Sequence, residues 1–257
     1  MARERRRLLI PPDRLAARIA LSAPERHYLT RVLRLAVGQG CDVVDGAGHR
    51  WGALVAADGR LELEQPLTAP LEVQPPPSPC LELAVALPRQ EVEVVWRMAT
   101  ELGIDRLQPL LAERGQGRER WPLERWRTIL REASEQCERL WLPELAEPVA
   151  AAAWLAAPGE VPKGLNLLAS SRGDHLPLLP ELMAAHTAGA HSRVRLAIGP
   201  EGGWSPAEEQ RARERGWIAV SAGPTILRTT TAAVAAAAWL SGWRAALSSS
   251  SSPWRSP

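Results

Sequence analysis

Two glycine- and proline-rich segments in the last third of the chain carry the strongest chemical signal. Residues 196–205 read Leu-Ala-Ile-Gly-Pro-Glu-Gly-Gly-Trp-Ser, and residues 221–231 read Ser-Ala-Gly-Pro-Thr-Ile-Leu-Arg-Thr-Thr-Thr. Each segment runs from a short apolar strand through a loop into a predicted helix. Two such loops close together predict a site built mostly from backbone groups. That kind of site suits a nucleotide-like ligand better than side-chain acid–base chemistry.

The first of these loops is followed by a clear helix start. Glycine at positions 199, 202 and 203 lets a ligand approach the backbone closely. Ser205 then reads as the N-cap, Pro206 as the first helical residue and Glu208 as the partner in a capping box. Free N–H groups at such a helix start favour a polar or anionic ligand group. The alternative is a tight turn that binds nothing, since one glycine-rich loop is a weak signal.

The second loop places a single arginine before a helix. Gly223-Pro224 is a turn signal, and the alanine-rich run 232–240 has a high helix propensity. That run is apolar almost all the way round, which predicts a buried helix. Arg228 therefore stands at the mouth of a helix expected to be buried, where its charge needs a partner. The partner is either a structural carboxylate or a substrate phosphate.

Other chemistries find little support in the sequence. The five histidines show no metal-ligand spacing, so no metal site is expected. No dinucleotide-binding or P-loop pattern follows a strand. Ser170-Ser171 lies near His175, but the turn that would present a nucleophilic serine is missing. Glu132, Glu135 and Gln136 share one helix face, and this spacing alone predicts a solvated surface.

The elements that must position these residues fall into two groups. Residues before the proline-rich stretch 74–79 form short apolar runs separated by turn signals, typical of a small β-barrel with one helix at 23–35. Strands and helices alternate after it, which predicts a parallel sheet covered by helices on both faces. We expect strands near 81–87, 106–111, 165–169, 194–198 and 218–221, and helices near 91–102, 123–140, 180–188, 206–215 and 230–247.

Composition and charge set the broad class. The chain has 257 residues, 46% of them hydrophobic, and a net charge of +2, typical of a globular protein rather than a polycation. Residues 1–40 nevertheless hold nine arginines against three acidic residues. Three widely separated cysteines fit neither a disulfide framework nor a zinc site and predict a reducing, cytoplasmic location. We expect neither a signal peptide nor a membrane span.

Several ordered motifs at matching spacing resemble one known family. Gly199-Pro-Glu-Gly-Gly203 and the later Gly223-Pro-Thr-Ile-Leu-Arg-Thr229 are similar to the RsmE family of 16S ribosomal RNA uridine-N3 methyltransferases, of the SPOUT class. The resemblance covers nearly the whole chain, including His27–Leu35, Ala99–Gly103 and Glu132–Cys137. It implies an α/β fold with a knotted parallel sheet and a small N-terminal PUA-like β-barrel. The implied parts are a PUA-like RNA-binding domain at 1–73, a linker at 74–80, a methyltransferase domain with a C-terminal trefoil knot at 81–247, and a disordered tail at 248–257.

The resemblance also implies the ligands and the site. The cofactor would be S-adenosylmethionine, the partner 16S ribosomal RNA of the small subunit, and the assembly a homodimer without metal. Arg228 and Glu201 are the implied catalytic residues. Independently of the resemblance, His27, Arg31 and Arg34 have the spacing of one helix face, and the basic excess of residues 1–40 favours contact of that face with RNA phosphates over a plain solvated surface. The implied cofactor-binding residues are Leu168, Ala169, Ser170, Ile198, Gly199, Pro200, Glu201, Gly202, Gly203, Ser221, Gly223, Ile226, Leu227 and Thr229.

This chain departs from the family pattern at a few positions. Thr225 stands where arginine is expected and Thr230 where glutamate is expected, so two opposite charges are absent from this loop. Either the two charges formed a pair that was replaced together, which leaves the loop functional, or one of them contacts cofactor or RNA, in which case its loss weakens activity. Trp204 and Trp217 stand where the family has phenylalanine and are expected to fill the same core space. Two alternatives stay open: a binding module of the same fold without catalysis, and a methyltransferase that acts on another RNA site or base atom.

Overall fold

The chain divides into two units. The computed structural model describes residues 5–115, 121–157, 164–171, 175–187 and 189–249. The N-terminal unit comprises Met1–Pro76 with Arg131–Leu142, and the C-terminal unit comprises Pro77–Leu130 with Pro143–Pro257. The division near residue 76 falls in the proline-rich stretch. The assignment of 131–142 to the N-terminal unit has no counterpart in the sequence pattern.

The N-terminal unit is built on a six-stranded sheet in the order β1-β3-β4-β5-β2, with β6 paired to β4. The β1–β3 pair is parallel and the others are antiparallel. Its core is made of buried aliphatic side chains from the strands, such as Leu8, Val43 and Ala53. The strands are β1 (Arg7–Leu9), β2 (Arg18–Ile19), β3 (Gly40–Val44), β4 (His49–Val55), β5 (Leu61–Leu63) and β6 (Glu72–Val73).

The single helix predicted at 23–35 is wrong in detail. An α-helix, α1 (Ala23–His27), passes into a π-helical turn at Tyr28–Val32. The Leu33 N–H donates to the Tyr28 carbonyl, a wider loop than an α-helix makes, and Arg34 then adopts a left-handed φ of 55°. The wider turn buries Leu29 in the core while leaving Val32 exposed. Apolar spacing alone does not distinguish this path from a continuous helix.

The C-terminal unit contains a seven-stranded, wholly parallel sheet in the order β10-β8-β7-β12-β11-β13, with β9 paired to β8. The two central strands are largely buried because both of their faces are covered, although β7 carries Glu82 and β12 carries Arg193 and Arg195. The strands are β7 (Cys80–Ala86), β8 (Arg106–Leu111), β9 (Glu144–Leu145), β10 (Val149–Ala150), β11 (Gly164–Ala169), β12 (Arg193–Ile198) and β13 (Ile218–Val220).

Helices pack on both faces of this sheet. Successive residues of β12, such as Leu196 and Ala197, belong to different core clusters because their side chains point to opposite faces of the sheet. The larger cluster also takes side chains from α2, α3, α5 and α7, and the smaller one takes side chains from α4 and α6. These helices are α2 (Val92–Glu101), α3 (Leu123–Gln136), α4 (Ala151–Ala156), α5 (Leu179–Ala184), α6 (Pro206–Glu214) and α7 (Thr229–Ser249).

Helix α7 differs from the sequence expectation in two ways. Its buried face consists of Ala233, Ala236, Ala237 and Leu240, whereas Trp239 is 50% exposed, so the helix is not buried all round. The spacing of the buried residues is that of one helical face. The helix also extends to Ser249, so the first two residues of the expected disordered tail are helical. The rest of that expected tail, 250–257, lies outside the described residues.

Two further observations concern the cysteines and the lengths of the helices. Cys41, Cys80 and Cys137 carry free thiols, and burial raises the pKa of Cys41 to about 12, which keeps that thiol protonated and unreactive. Among the helices formed by described residues, none is both long and apolar enough to cross a membrane.

Candidate functional site

A cleft opens at the carboxyl edge of the parallel sheet, where β11, β12 and β13 end. The empty space within it, together with the open solvent at its mouth, amounts to about 750 Å³. Ligands of open parallel sheets bind at this edge, because the loops that follow the strands converge there. The walls come from three such loops, together with Arg114 from the loop after β8 and Glu209 from α6.

The first loop is fixed by the helix that follows it. The Ser205 hydroxyl accepts from the Glu208 N–H at 3.2 Å, and the Glu208 carboxylate accepts from the Ser205 N–H at 2.9 Å. This capping box, with Pro206 in the first turn, is the one predicted from the sequence. The Gly203 N–H donates to the Pro200 carbonyl at 2.8 Å, and Gly203 has a φ of 72°, which glycine adopts without strain.

Trp204 locks the first loop against the end of β11. Its indole N–H donates to the Ala169 carbonyl at 2.9 Å, and the side chain is 4% exposed. A Cβ at position 199 would lie 3.1 Å from this indole, which is tighter than an ordinary contact, so the indole packs closely against the Gly199 backbone. The expectation that Trp204 and Trp217 fill core space is confirmed, since both belong to the smaller core cluster.

Thr229 ties the second loop to the first. Its hydroxyl donates to the Gly199 carbonyl at 2.9 Å, and the residue is 4% exposed. The Ser221 hydroxyl donates to the Gly223 carbonyl at 2.6 Å and so shapes the turn. The Ser170 N–H donates to the Val220 carbonyl at 2.9 Å, which holds the third loop beside the other two. The three loops therefore form one hydrogen-bonded wall.

The structure brings together most of the residues that the sequence suggested for cofactor binding. All of them line the cleft except Leu168, whose side chain is buried in the core. Glu201 lines the cleft and is exposed. Arg228 is exposed beside the cleft and is not one of the lining residues. Its charge therefore faces solvent, and the argument that burial demands a partner does not apply to it.

The residues suggested for RNA binding lie in the N-terminal unit and do not share a helix face. His27, Arg31 and Arg34 are all exposed. His27 ends α1, Arg31 lies in the π-helical turn, and Arg34 follows in a left-handed conformation. The predicted helical spacing is therefore wrong, although all three side chains remain open to a partner.

Sequence reasoning missed several lining residues, of which Arg114 is the most informative. Its guanidinium donates to the Trp204 carbonyl at 3.2 Å and lies 3.4 Å from the Gly202 carbonyl. The neighbouring Glu113 N–H donates to the Glu208 carboxylate at 2.9 Å. The loop that contains Arg114 follows β8, which ends at Leu111. Since the loops after parallel strands converge at one edge of the sheet, this loop could have been assigned to the site from the sequence. The others missed are Ser171, Trp204, Glu209, Ala222, Thr225 and Ala232.

The chemistry of the cleft fits a nucleoside with a charged tail. The backbone N–H groups of Glu201, Gly202, Ile226 and Leu227 have no hydrogen-bond acceptor within the described part of the chain. They stand beside apolar side chains such as Ile198. A flat aromatic base with polar edges would satisfy both features. Among the described residues, no group of three or more His, Cys, Asp or Glu side chains could hold a metal ion.

Comparison with known proteins shows which class the fold and the cleft define. A profile described as an RNA methyltransferase domain matches residues 75–241, and one described as an RNA methyltransferase PUA domain matches residues 21–64. The chain is thus an RNA methyltransferase with the SPOUT-type α/β fold and a PUA-like domain. More narrowly, it belongs to the ribosomal RNA small subunit methyltransferase E family.

Individual relatives support that assignment over most of the chain. The Synechocystis ribosomal RNA small subunit methyltransferase E is 37% identical over 90% of this chain and 76% of its own length. The Mycobacterium bovis protein of the same name is 30% identical over 88% of this chain and 86% of its own. A crystal structure of the Neisseria gonorrhoeae enzyme bound to S-adenosylmethionine has a TM-score of 0.76 at 26% identity, covering 93% of this chain and 98% of that one.

Proposed function

We propose that this chain transfers a methyl group from S-adenosylmethionine to ribosomal RNA of the small subunit. The observation that carries the proposal is the cleft formed by three hydrogen-bonded loops, with free backbone N–H groups beside apolar walls. A relative with the same fold binds S-adenosylmethionine. The cleft therefore supports a methyltransferase better than a binding module without a cofactor.

The cofactor would be held mainly by backbone. The adenine ring would lie between the apolar side chains of Ile198 and Leu227, with its polar edge on the free N–H groups of Ile226 and Leu227. The charged tail would face Arg114, Glu201 and Glu209, the charged groups among the described lining residues. When bound, the cofactor supplies an electrophilic methyl group. The work of the protein is then alignment of the acceptor and exclusion of water.

Within this activity, we propose uridine N3 as the acceptor atom. N3 carries a proton that must leave before the nitrogen can attack. The Glu201 carboxylate at the cleft rim accepts this proton, a role that requires hydrogen-bond reach. Arg228, exposed beside the cleft, stabilises the negative charge that develops on the uracil carbonyl oxygens. If the chain instead methylates another base atom or another RNA site, a different nucleoside receives the methyl group.

The N-terminal unit would recognise the RNA. N3 lies on the Watson–Crick edge, so the target base must be unpaired or flipped out of its helix. The exposed His27, Arg31 and Arg34 would contact the RNA backbone. We propose the division into an RNA-binding domain at 1–73, a linker at 74–80 and a methyltransferase domain at 81–247, with residues 131–142 returning to the first domain.

We further propose a homodimer that acts in the cytoplasm. The exposed side of α7 is apolar, with Trp239 50% exposed next to the exposed Ala238 and Gly242. Such a stripe of small residues with one aromatic side chain suits close contact with the same helix of a second copy. Three free cysteines agree with a reducing compartment.

Direct binding of S-adenosylhomocysteine, the product form of the cofactor, tests the proposal without turnover. Isothermal titration should show saturable binding to the wild-type chain. Leu227→Glu places a charge in the apolar wall of the cleft and should abolish binding. Ile218→Glu is the matched control, because Ile218 is 39% exposed and does not line the cleft. Absence of binding to the wild type, or equal binding by both variants, would contradict the proposed cofactor site.

A further inference from the structure

A second cavity lies within the N-terminal unit, whereas the cofactor cleft belongs to the C-terminal unit. It encloses about 1320 Å³ including its open mouth. Its walls combine arginine side chains with aliphatic ones, among them Arg5, Arg6, Val32, Leu33 and Leu35. Val32 is 60% exposed, so part of the apolar wall faces solvent. Neither the cofactor cleft nor the sheet core explains why this apolar surface stays open.

The arginines around this cavity differ in their pairing. Arg5 pairs with Glu64, and Arg7 pairs with Glu138, which also lines the cavity. In contrast, Arg6, Arg31 and Arg34 have no ion-pair partner in the part of the chain that the structure describes. Arg31 and Arg34 lie next to Val32, Leu33 and Leu35 in sequence. Their free charges suit a polyanion that runs past the cavity.

The planar guanidinium of Arg5 provides a flat face at the cavity. Gly40 lines the cavity, and a Cβ at this position would lie 2.7 Å from the guanidinium carbon of Arg5. The missing side chain lets the Arg5 guanidinium lie against β3, where its ion pair with Glu64 holds it. Guanidinium planes stack on nucleic-acid bases. Arg5 can therefore serve as a platform rather than only as a charge.

The backbone at the cavity is also unusual. The π-helical turn at Tyr28–Val32 is followed by Arg34 with a φ of 55°, a conformation that residues other than glycine rarely adopt. Both features concentrate at functional sites, where the surrounding structure holds a backbone that is otherwise unfavourable. In this turn Val32 is exposed, and so are the neighbouring Arg31 and Arg34.

We propose that this cavity holds one unpaired base of the ribosomal RNA, distinct from the methylated base. The base stacks on the Arg5 guanidinium and contacts Val32 and Leu33. The flanking phosphates pair with Arg6, Arg31 and Arg34. Gln39 offers its amide N–H groups to the base edge, since its carbonyl oxygen already accepts from the Ala36 N–H at 2.9 Å. The inference rests on the proposed RNA substrate and adds a second, non-reacting nucleotide site.

Binding of RNA by the full-length protein tests this inference without cofactor. The probe is a short single-stranded RNA carrying one 2-aminopurine, with the corresponding duplex as comparison. The fluorescence of the probe should be quenched on binding because the base stacks. Val32→Ser should weaken binding at least about fivefold, as expected for loss of a base contact. Val37→Ser is the matched control, since Val37 is 64% exposed and does not line the cavity.

The arginines are tested by the salt dependence of the same binding. Arg6→Ala and Arg34→Ala should each reduce the slope of log affinity against log salt by about one phosphate contact. Arg60→Ala, an exposed arginine at the turn before β5, should leave the slope unchanged. Equal binding by the Val32 and Val37 variants, or unchanged slopes, would overturn the inference.

The two proposals can fail separately. Wild-type methylation of small subunits together with equal RNA binding by the Val32 and Val37 variants would reject the base cavity alone. Conversely, loss of RNA binding in Val32→Ser without any methylation by the wild type would reject the proposed reaction and keep the cavity.

Discussion

Thr229 joins the two loops that form most of the cleft. Its buried hydroxyl is bonded to the Gly199 carbonyl. Thr229→Val keeps the shape of the side chain and leaves that acceptor without its donor, which costs about 1–3 kcal/mol. We expect the affinity for S-adenosylhomocysteine to fall about tenfold in isothermal titration. Thr231→Val, on the exposed side of α7, should bind as the wild type does. Equal affinities for the two variants would show that the loop contact does not shape the cofactor site.

Substitution of Arg228 should affect the methyl-transfer step without affecting cofactor binding. It is exposed and does not line the cleft, so its removal should leave the affinity for S-adenosylhomocysteine unchanged. Loss of charge stabilisation in the transition state should lower kcat by about 100- to 1,000-fold. Single-turnover methylation of Arg228→Ala measures this effect, and Arg215→Ala, an exposed arginine after α6, is the control. An unchanged kcat would remove Arg228 from the mechanism.

At the residue scale, the sequence predicted what depends on local geometry. Loop glycines and a capping box follow from residues only a few positions apart, so Gly203 and Ser205 were predicted correctly. Arg114 was not predicted, because it reaches the cleft only after the sheet brings β8 beside distant strands. The exposure of Arg228 was also missed, since it depends on how α7 packs.

Helix α1 carries a buried carboxylate, Glu25, that is paired with an arginine. The Glu25 side chain is buried and receives two hydrogen bonds from Arg14, at 2.7 and 2.8 Å. Burial raises its pKa, but the bonds from Arg14 and Ser22 outweigh this and bring the pKa to about 2, below the usual 4.5. The stabilisation is therefore complete above pH 4.5 and is lost as the pH falls toward 2.

Glu25→Gln should make the stability of this unit less dependent on pH in the acidic range. The variant keeps the side-chain oxygen for the capping bond but loses the charge that pairs with Arg14. We expect a lower urea midpoint at neutral pH, measured by circular dichroism, and a flatter midpoint between pH 4.5 and about 2. Glu62→Gln, an exposed residue on β5, is the control. An acid dependence as steep as that of the wild type would contradict the assignment to Glu25.

At the element scale, prediction succeeded for long apolar segments and failed for short or irregular ones. Strands β7, β8, β11, β12 and β13 of the parallel sheet and helices α2, α6 and α7 lie within a few residues of their predicted positions. Strands of only two residues, such as β2 and β9, are too short to show a period. Helix α4 was missed because it is short and has no N-cap side chain. The face containing Glu135 was expected to be solvated, yet this carboxylate accepts from the Leu9 N–H at 2.8 Å.

At the scale of the whole molecule, the fold class was predicted through the family resemblance rather than through periodicity. Alternation of strands and helices predicts a parallel sheet but not the order of its strands. The trefoil knot that the resemblance implies stays a prediction about how the last third of the chain is threaded. The return of residues 131–142 to the N-terminal unit was not predictable, because it depends on contacts far apart in sequence.

The proposed homodimer is tested at this same scale. Trp239→Arg places a charge in the exposed apolar face of α7, so sedimentation should show a shift from twice the chain mass to the chain mass. Val94→Arg alters an exposed residue on α2 and should leave the mass unchanged. A wild type that sediments as a monomer at working concentration would contradict the dimer. A Trp239 variant that stays dimeric would show that the interface does not include this face of α7.

Methyl transfer to ribosomal RNA is tested most directly by labelling the RNA of the small subunit. Purified protein is incubated with methyl-labelled S-adenosylmethionine and small subunits from a strain that lacks the modification. The RNA is then digested, and the labelled nucleoside is identified by mass spectrometry. We expect the label in 3-methyluridine at a single site. Label in another nucleoside would contradict the assigned base atom, and no label at all would contradict the proposed reaction.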